Sequence, residues 1–255
     1  MPDGTAPRTL DSVQKTLDVV EALWRAEGAG VTELTELVDL PKSTVHAHLS
    51  TLREEGYVVQ AEGEYRLGLR FLTYGEHVKT AQPLYQVARE PVADLAERTG
   101  ERVFCATEEN GLATVLCVAE GERSLQSNIT VGTHVFLHAS AVGKAMLAAM
   151  PRERVEAVID QWGLPSFTEE TITSRDALFA ELADVRERGV AVNVGEYRPG
   201  VHVVAAPIEA ADGTVEGAVA LAGPEQRLRS EWGAETLDDH LLAAANTVEV
   251  NLNFA

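Results

Sequence analysis

Lysine is nearly missing from this sequence. Only Lys15, Lys42, Lys79 and Lys144 occur in 255 residues, and 21 basic against 40 acidic residues leave a formal net charge of −19. A chain this acidic cannot draw on long-range attraction to phosphate, because counterion release by Lys and Arg supplies much of the affinity of ordinary DNA-binding proteins. Any contact with nucleic acid must be local. Cysteine is equally scarce: Cys105 and Cys117 stand alone, without a CxxC or a Cys/His metal spacing. That excludes a zinc framework and a disulfide-stapled secreted scaffold, and points to a reducing cytosol. No apolar run approaches the roughly 20 residues that span a bilayer. The opening MPDGTAPRTL has neither the charged nor the apolar region of a signal peptide. The expected location is therefore cytoplasmic, with no membrane partner. No Ser-His-Asp grouping, paired carboxylates in an apolar setting, or phosphate loop stands out, and Gly143-Lys144 lacks the preceding glycine of a P-loop. Catalysis is not expected, and neither is a cofactor.

What the chain has in quantity is acid and apolar residues, the latter 45% of the total. Its length suits two ordinary domains. Residues 1–80 hold thirteen acids and eight bases, and the remainder holds the other 27 acids against thirteen bases. Abundant acid with little lysine resembles the proteins of a salt-in halophile. At molar salt the Debye length shrinks to about 3 Å, so distant acids stop repelling DNA and only local groups count.

One stretch departs from this acidity. Leu40–Arg53, LPKSTVHAHLSTLR, contains Lys42, Ser43, Thr44, His46 and His48 and no acid. Upstream, Thr32–Val38 reads as a short amphipathic helix capped by Thr32, broken at Asp39-Leu40-Pro41. From Ser43, the apolar Val45, Leu49 and Leu52 keep helical spacing, which leaves Ser43, Thr44, Ala47, His48 and Thr51 facing outward. Two short helices about a tight turn fit a helix-turn-helix, although the pattern alone also fits a plain amphipathic helix pair. The hairpin that follows shifts the balance. Tyr57–Gln60 alternates like a strand, Glu62-Gly63-Glu64 turns, and Tyr65–Leu67 returns, giving a wing on which Arg66 can meet a phosphate. Upstream of all this, Arg8–Glu27 reads as a bracing helix with a capping signal at Asp11-Ser12. Its apolar stripe is Val13, Leu17, Val20, Ala22, Leu23 and Trp24.

Beyond the wing, Leu67–Gly75 starts a linking helix toward Ala81, and a helix over residues 84–98 follows Pro83. Strands are expected at 102–108 and 112–119, joined at Asn110-Gly111, then at 127–130, 135–137, 190–194, 201–208 and 215–222. Helices are expected at 139–150, from Pro151 to about Gln161, at 174–188 behind a capping box from Thr173 to Asp176, and at 235–252. An antiparallel sheet with helices against it makes an α+β domain of a size that can hold a ligand.

These blocks resemble the IclR family of transcription regulators along nearly the whole chain. The residues that carry the resemblance are LPKSTVHAHLSTLREEGYV (40–58), YRLGLRFLTYG (65–75), LHASAVGKAMLA (137–148), GVHVVAAPI (200–208) and AVALAGP (218–224). The resemblance implies an N-terminal winged helix (8–75), a helical linker (76–83) and a GAF-like effector-binding domain (84–255). It also implies dimers, or dimers of dimers, that bind double-stranded operator DNA of catabolic operons under control of a small-molecule effector. The DNA-contacting set is then Lys42, Ser43, Thr44, His46, His48, Thr51, Arg53 and Arg66. Two departures matter. Ala47 stands where the family usually has arginine, and His48 where it usually has a leucine-type residue. In the effector site, matching motifs give Asn193, Val203, Ala220 and Ala222, with Phe136, Ala141 and Val142 opposite. Those are apolar apart from the Asn amide, where family members that bind small oxo-acids carry an acid, a Cys or Ser, and two hydroxyls.

Arg123–Arg152 is a second acid-free run, 30 residues with Arg123, His134, His138, Lys144 and Arg152, and Tyr197–Ile208 with Arg198 and His202 is a third. They fit a cavity that favours an anion, such as a sugar acid or aromatic acid. They fit equally a packed core that excludes charge, and Lys144 then packs its helix. As for the cysteines, counting outward from Asn110-Gly111 sets Cys105 opposite Leu116, leaving Cys117 one residue out of register and on the other face. No spacing supports a metal on Cys105, Cys117, His134 or His138. A thiol- or metal-responsive switch on the two cysteines remains the alternative to small-molecule control.

Overall fold

The computed structural model describes residues 9–127, 129–228, 230 and 234–254. The expected positions of Arg8, Asn128 and Ala255 lie outside the described residues. The chain divides into two compact units at Val78/Lys79.

The first unit packs three helices, α1 (Asp11–Arg25), α2 (Val31–Val38) and α3 (Lys42–Glu54), with the hairpin β1 (Val58–Ala61) and β2 (Glu64–Leu67). Its core joins Val19, Leu23, Leu34, Val45, Leu49, Val58 and Tyr65. The stripe expected on α1 divides in two. Val19, Ala22 and Leu23 are buried, whereas Val13, Leu17 and Trp24 are 51%, 60% and 59% exposed. The caps also differ from expectation. Asp11 pairs with Lys15 inside the first turn of α1 behind Leu10, and Gly30, not Thr32, precedes α2. Asp39 closes α2 in the left-handed conformation, and Pro41 then opens α3. Glu62 and Gly63 both have positive φ, as the tight turn between β1 and β2 requires.

The helix α4 (Arg70–Thr80) starts upstream of the expected linker and buries none of its residues. Pro83 is the first residue of α5 (Pro83–Thr99), where its missing N–H costs nothing, and Gly100 ends that helix. Six antiparallel strands follow in the order β5-β4-β3-β8-β7-β6. They are β3 (Arg102–Glu109), β4 (Leu112–Glu120), β5 (His134–Phe136), β6 (Ala191–Val194), β7 (Val201–Glu209) and β8 (Val215–Pro224). No strand forms over the described residues of 127–130. One sheet face packs on α6 (Ala141–Ala149), α7 (Arg152–Trp162) and α8 (Arg175–Arg188), and the other on α5 and α10 (Ala234–Phe254). The short α9 (Glu225–Arg227) joins β8 to the C-terminal segment. Ser174, not Thr173, caps α8 by accepting from the Ala177 amide.

Two details position the candidate site. Asn193 on the edge strand β6 donates to the Ala139 carbonyl at 2.6 Å, just past the opposite edge strand β5, so the sheet curls round α6 until its two edges are linked. A Cβ on Gly143 would lie 2.2 Å from the Leu137 carbonyl oxygen, so only glycine lets α6 sit against the 3₁₀ turn Leu137–Ala139.

The hairpin count around the cysteines is overturned. The β3–β4 pairing runs regularly from Glu109↔Leu112 to Ala106↔Val115, then shifts by one, and Cys105 faces Cys117 directly. Leu116 is the extra residue, a β-bulge that places it in the same core as both cysteines. Turn counting cannot see a bulge.

Candidate functional site

The surface of α3 is built by its own periodicity. Val45, Leu49 and Leu52 anchor it in the core, which turns Lys42, Ser43, His46, Ala47, Thr51 and Arg53 to solvent. No acid lies in its first turn, so the exposed N–H groups and the Lys42 ammonium present a locally positive end. Thr44 and His48 are only half exposed. His48 does not point freely outward: its Nδ1 shares a 2.9 Å hydrogen bond with the Thr16 hydroxyl on α1. Arg53 donates to the Gln60 side chain of the wing at 2.7 Å. Arg66 is held by Glu64 at 3.0 Å and packs so closely on Gly28 that a Cβ there would meet its side chain at 2.9 Å. The exposed set is thus Lys42, Ser43, His46 and Thr51, with Arg53 and Arg66 already engaged by neighbours.

In the second unit, register aligns three of the expected effector residues. Asn193 pairs with Val203, Val203 with Ala222, and Ala222 with Arg102, so these four share one row on one face. Ala220 lies two residues along β8 on the same face, beside Ala205 and Phe104. Ala141 and Val142, in the first turn of α6, are buried in the same core. Val203 and Ala222 remain half exposed although they lie on the helix-covered face. The helices therefore leave a small-residue floor partly uncovered. Phe136 belongs with a neighbouring feature. Its ring meets those of His138, Trp162 and Phe167 at 5.8, 5.9 and 5.3 Å, over an apolar recess of about 220 Å³ that includes its open mouth.

Asn193, the one polar group of the expected set, is not free for a ligand. Its amide nitrogen serves Ala139, and its oxygen accepts from the Glu196 amide at 3.2 Å. Sequence reasoning missed the polar group of this row, Arg102. It is 4% exposed, donates from its two terminal nitrogens to Glu120 and to the Ile129 carbonyl, and leaves its buried Nε–H without a partner among the described residues. A signal existed in an arginine at the head of the apolar strand Val103–Ala106. With Glu101 beside it and Glu108 and Glu109 after it, Arg102 falls in no long acid-free window.

Lys144, Arg152 and His138 of the stretch Arg123–Arg152 are engaged by the protein itself. Lys144, 1% exposed, donates to Glu181 at 2.9 Å, Glu196 at 2.6 Å and the Val192 carbonyl at 2.7 Å. Arg152 lies over the Phe179 ring and pairs with Glu156. His138 bonds the Pro165 carbonyl at 3.0 Å, and burial pushes its pKa below the usual imidazole value. Burial, helped by the Glu181 charge, raises the carboxyl of Glu196 despite Lys144. Acids are absent from that stretch of sequence because they arrive from α8 and the β6–β7 turn. Among the described residues no group of three or more His, Cys, Asp or Glu could hold a metal, and no helix is long and apolar enough to cross a membrane.

Comparison with known proteins matches residues 12–62 to the IclR helix-turn-helix domain and residues 76–250 to the family described as bacterial transcriptional regulator IclR C-terminal. The chain is 34% identical over 253 residues to a probable HTH-type transcriptional regulator ArcR of Halobacterium salinarum, covering 98% of this chain and 96% of that one. It superposes on the crystal structure of Thermotoga maritima IclR with a TM-score of 0.79 at 25% identity, over 96% of this chain and 100% of that chain. An IclR homolog from Microbacterium hydrocarbonoxydans, complexed with 4-hydroxybenzoate, superposes with a TM-score of 0.81 at 23% identity, over 96% and 100% of the two chains.

Proposed function

Because the chain belongs to the IclR family of bacterial transcriptional regulators, we propose that it binds a specific operator beside a catabolic operon and releases or grips it in response to a small carboxylic acid. The observation that carries the DNA half is the exposed N-terminal part of α3, acid-free until Glu54 closes the helix, set between α2 and the wing in a chain of net charge −19. Lys42 takes a phosphate at the helix N-terminus, Ser43 and Thr51 position the backbone, and His46 reads a base edge. Ala47 offers only a methyl, so His46 carries more of the direct readout than a single imidazole ordinarily does. Thr44, His48, Arg53 and Arg66 support that face rather than lead it.

The effector half rests on Arg102. A buried guanidinium with one N–H unused among the described residues, next in row to the partly uncovered Ala222 and Val203, suits a ligand carboxylate, since an unpaired buried donor costs about 1–3 kcal/mol. Ala141, Val142 and Ala220 leave room for an apolar body rather than a second polar group, with Asn193 held in a structural role. Aromatic acids are the first ligands to try, since a protein of the same fold holds 4-hydroxybenzoate, and sugar acids the second. Self-association has its own support. Leu10, Val13, Leu17 and Trp24 line one exposed face of α1, and Leu69, Leu72 and Val78 are exposed around α4. We assign these faces to a homodimer, which places two α3 helices on two half-sites.

The test is a map of where the tagged protein sits on its host genome, followed by binding to the recovered sites with and without a panel of aromatic and sugar acids. Discrete sites whose occupancy changes with one acid class, and a loss of that response in Arg102→Gln with operator binding retained, are expected. Occupancy without discrete sites would overturn the DNA reading. Discrete sites indifferent to every acid would overturn the effector reading.

A further inference from the structure

The two cysteines serve neither the operator face nor the effector row, yet the fold brings them together. They lie on β3 and β4 at directly opposed positions, a pairing created by the bulge at Leu116. Directly opposed residues of antiparallel strands have Cα atoms about 4.5–5.5 Å apart, inside the range of about 4.4–6.8 Å that a disulfide spans. Both thiols are free, with Cys105 fully buried and Cys117 7% exposed in the core under α5 and α10. We propose that Cys105 and Cys117 form an oxidisable dithiol, a cross-strand pair that closes to a disulfide on reaction with a small peroxide.

The environment divides the two roles. Cys117, the more accessible thiol, accepts a hydrogen bond from Cys105 and lies within reach of the Lys79 charge, and both hold its pKa below the ordinary thiol value. Cys105 has the opposite shift, raised by its hydrogen bond to Cys117 and by burial. Thiolate character decides which sulfur is oxidised first. The Cys117 sulfur attacks one peroxide oxygen, the O–O bond breaks, and the protein is left with a sulfenic acid while the other oxygen leaves as water (or as the alcohol, from an organic peroxide). The Cys105 sulfur then attacks the Cys117 sulfur, loses its proton, and expels the sulfenic oxygen as water. The two sulfurs give up two electrons, which the peroxide takes. A dithiol reductant reverses the step by thiol–disulfide exchange. Lys79, in the last turn of α4 with its ammonium 5.0 Å from the Tyr85 ring, stands beside this chemistry at the foot of the linking helix.

The test uses the intact full-length chain. Folded protein is treated with hydrogen peroxide, quenched, unfolded in an alkylating reagent and read by peptide mass spectrometry, with a second sample reduced by dithiothreitol before alkylation. The expected result is one internal cross-link between the Cys105 and Cys117 peptides, loss of both alkylatable thiols, and recovery of both on reduction. Cys105→Ser is expected to stop instead at a sulfenic acid on Cys117, trapped by dimedone. Two thiols still alkylatable after peroxide, or a Cys117 sulfinic acid with no cross-link in the wild-type chain, would overturn the proposal. Because the cross-link is sought in the wild-type chain, a Cys105→Ser variant that folds poorly does not affect the outcome.

Discussion

The two longest acid-free stretches of this chain ended in opposite environments. In residues 40–53 the cations stay in water: α3 turns Lys42 and His46 outward with no carboxylate in its first turn. In residues 123–152 the absence belongs to the sequence alone, since the fold delivers Glu181 and Glu196 to Lys144 and buries all three groups wholly or largely. Equal local composition therefore says nothing about local charge. What separates the two is the periodicity around them. Apolar residues on one side of α3 leave its other side in water, whereas eight of the nine residues of α6 are buried and its one cation needs partners from elsewhere.

The sharpest way to break this comparison is at its two lysines. Lys144→Ala strands two carboxylates in a low-dielectric interior, and removal of one member of a buried ionic group costs about 3–5 kcal/mol. Urea unfolding is expected to show that loss. Replacing Lys144, Glu181 and Glu196 together by Met, Leu and Leu is expected to recover most of it, because a well-packed apolar trio owes no desolvation. Lys42→Ala is expected to leave stability within about 0.5 kcal/mol of the wild type. It should weaken binding alike on all DNA sequences and lower the slope of log affinity against log salt by about 1. A destabilised Lys42→Ala, or an unaffected Lys144→Ala, would erase the distinction.

The same contrast shows what was legible in the sequence. The helix-turn-helix, the wing and the strands apart from that expected over 127–130 follow from short-range signals: Val45-Leu49-Leu52 spacing, Asp39-Leu40-Pro41, and the turns at Glu62-Gly63 and Asn110-Gly111. The effector row could be read only in part. Asn193, Val203 and Ala222 came from motif matching, but Arg102 joins them through pairing of β3 with β8, more than 100 residues apart in sequence. No local pattern encodes such a contact. Val13, Leu17 and Trp24 of the expected stripe lie outside the core for a related reason. Helical spacing marks them as a face but does not say whether that face meets the chain's own core. The opposed cysteines hinge on one extra residue, Leu116, which alternation alone cannot distinguish from its neighbours.

The next effect down is in pH. His138 sits within the second acid-free stretch, and burial holds its folded-state pKa below the ordinary 6.5. A depressed pKa means the unfolded chain takes the proton first. The stabilisation is full above the unfolded value and drains away as pH falls through the folded one. Glu196 has the reverse sign. Its raised pKa gives a contribution present below the unfolded carboxyl value of 4.5 and lost as pH rises through the folded value, so acidification partly restores it. The urea midpoint is therefore expected to fall as pH drops below 6.5, less steeply in His138→Gln. In Glu196→Gln the decline is expected to steepen at the acid end. Superimposable pH profiles for all three chains would mean neither group is perturbed by the fold.

The smallest expected effect separates two imidazoles two residues apart on one helix. His46 is exposed and shares only a 3.4 Å contact with Ser50, whereas His48 is tied to Thr16 at 2.9 Å and half buried. His46→Ala should change which operator bases are preferred, by about 1–3 kcal/mol at one position, with the unfolding midpoint unmoved. His48→Ala should do the opposite. It removes one net hydrogen bond worth about 0.5–1.5 kcal/mol from the α1–α3 contact and leaves base preference unchanged. Thr16→Val provides the control, since it removes the same bond from the α1 side without touching α3. If Thr16→Val and His48→Ala lose equal stability and are not additive when combined, His48 is a brace. If His48→Ala shifts sequence preference while Thr16→Val does not, His48 reaches the DNA, and the exposed face of α3 is wider than its hydrogen bonds suggest.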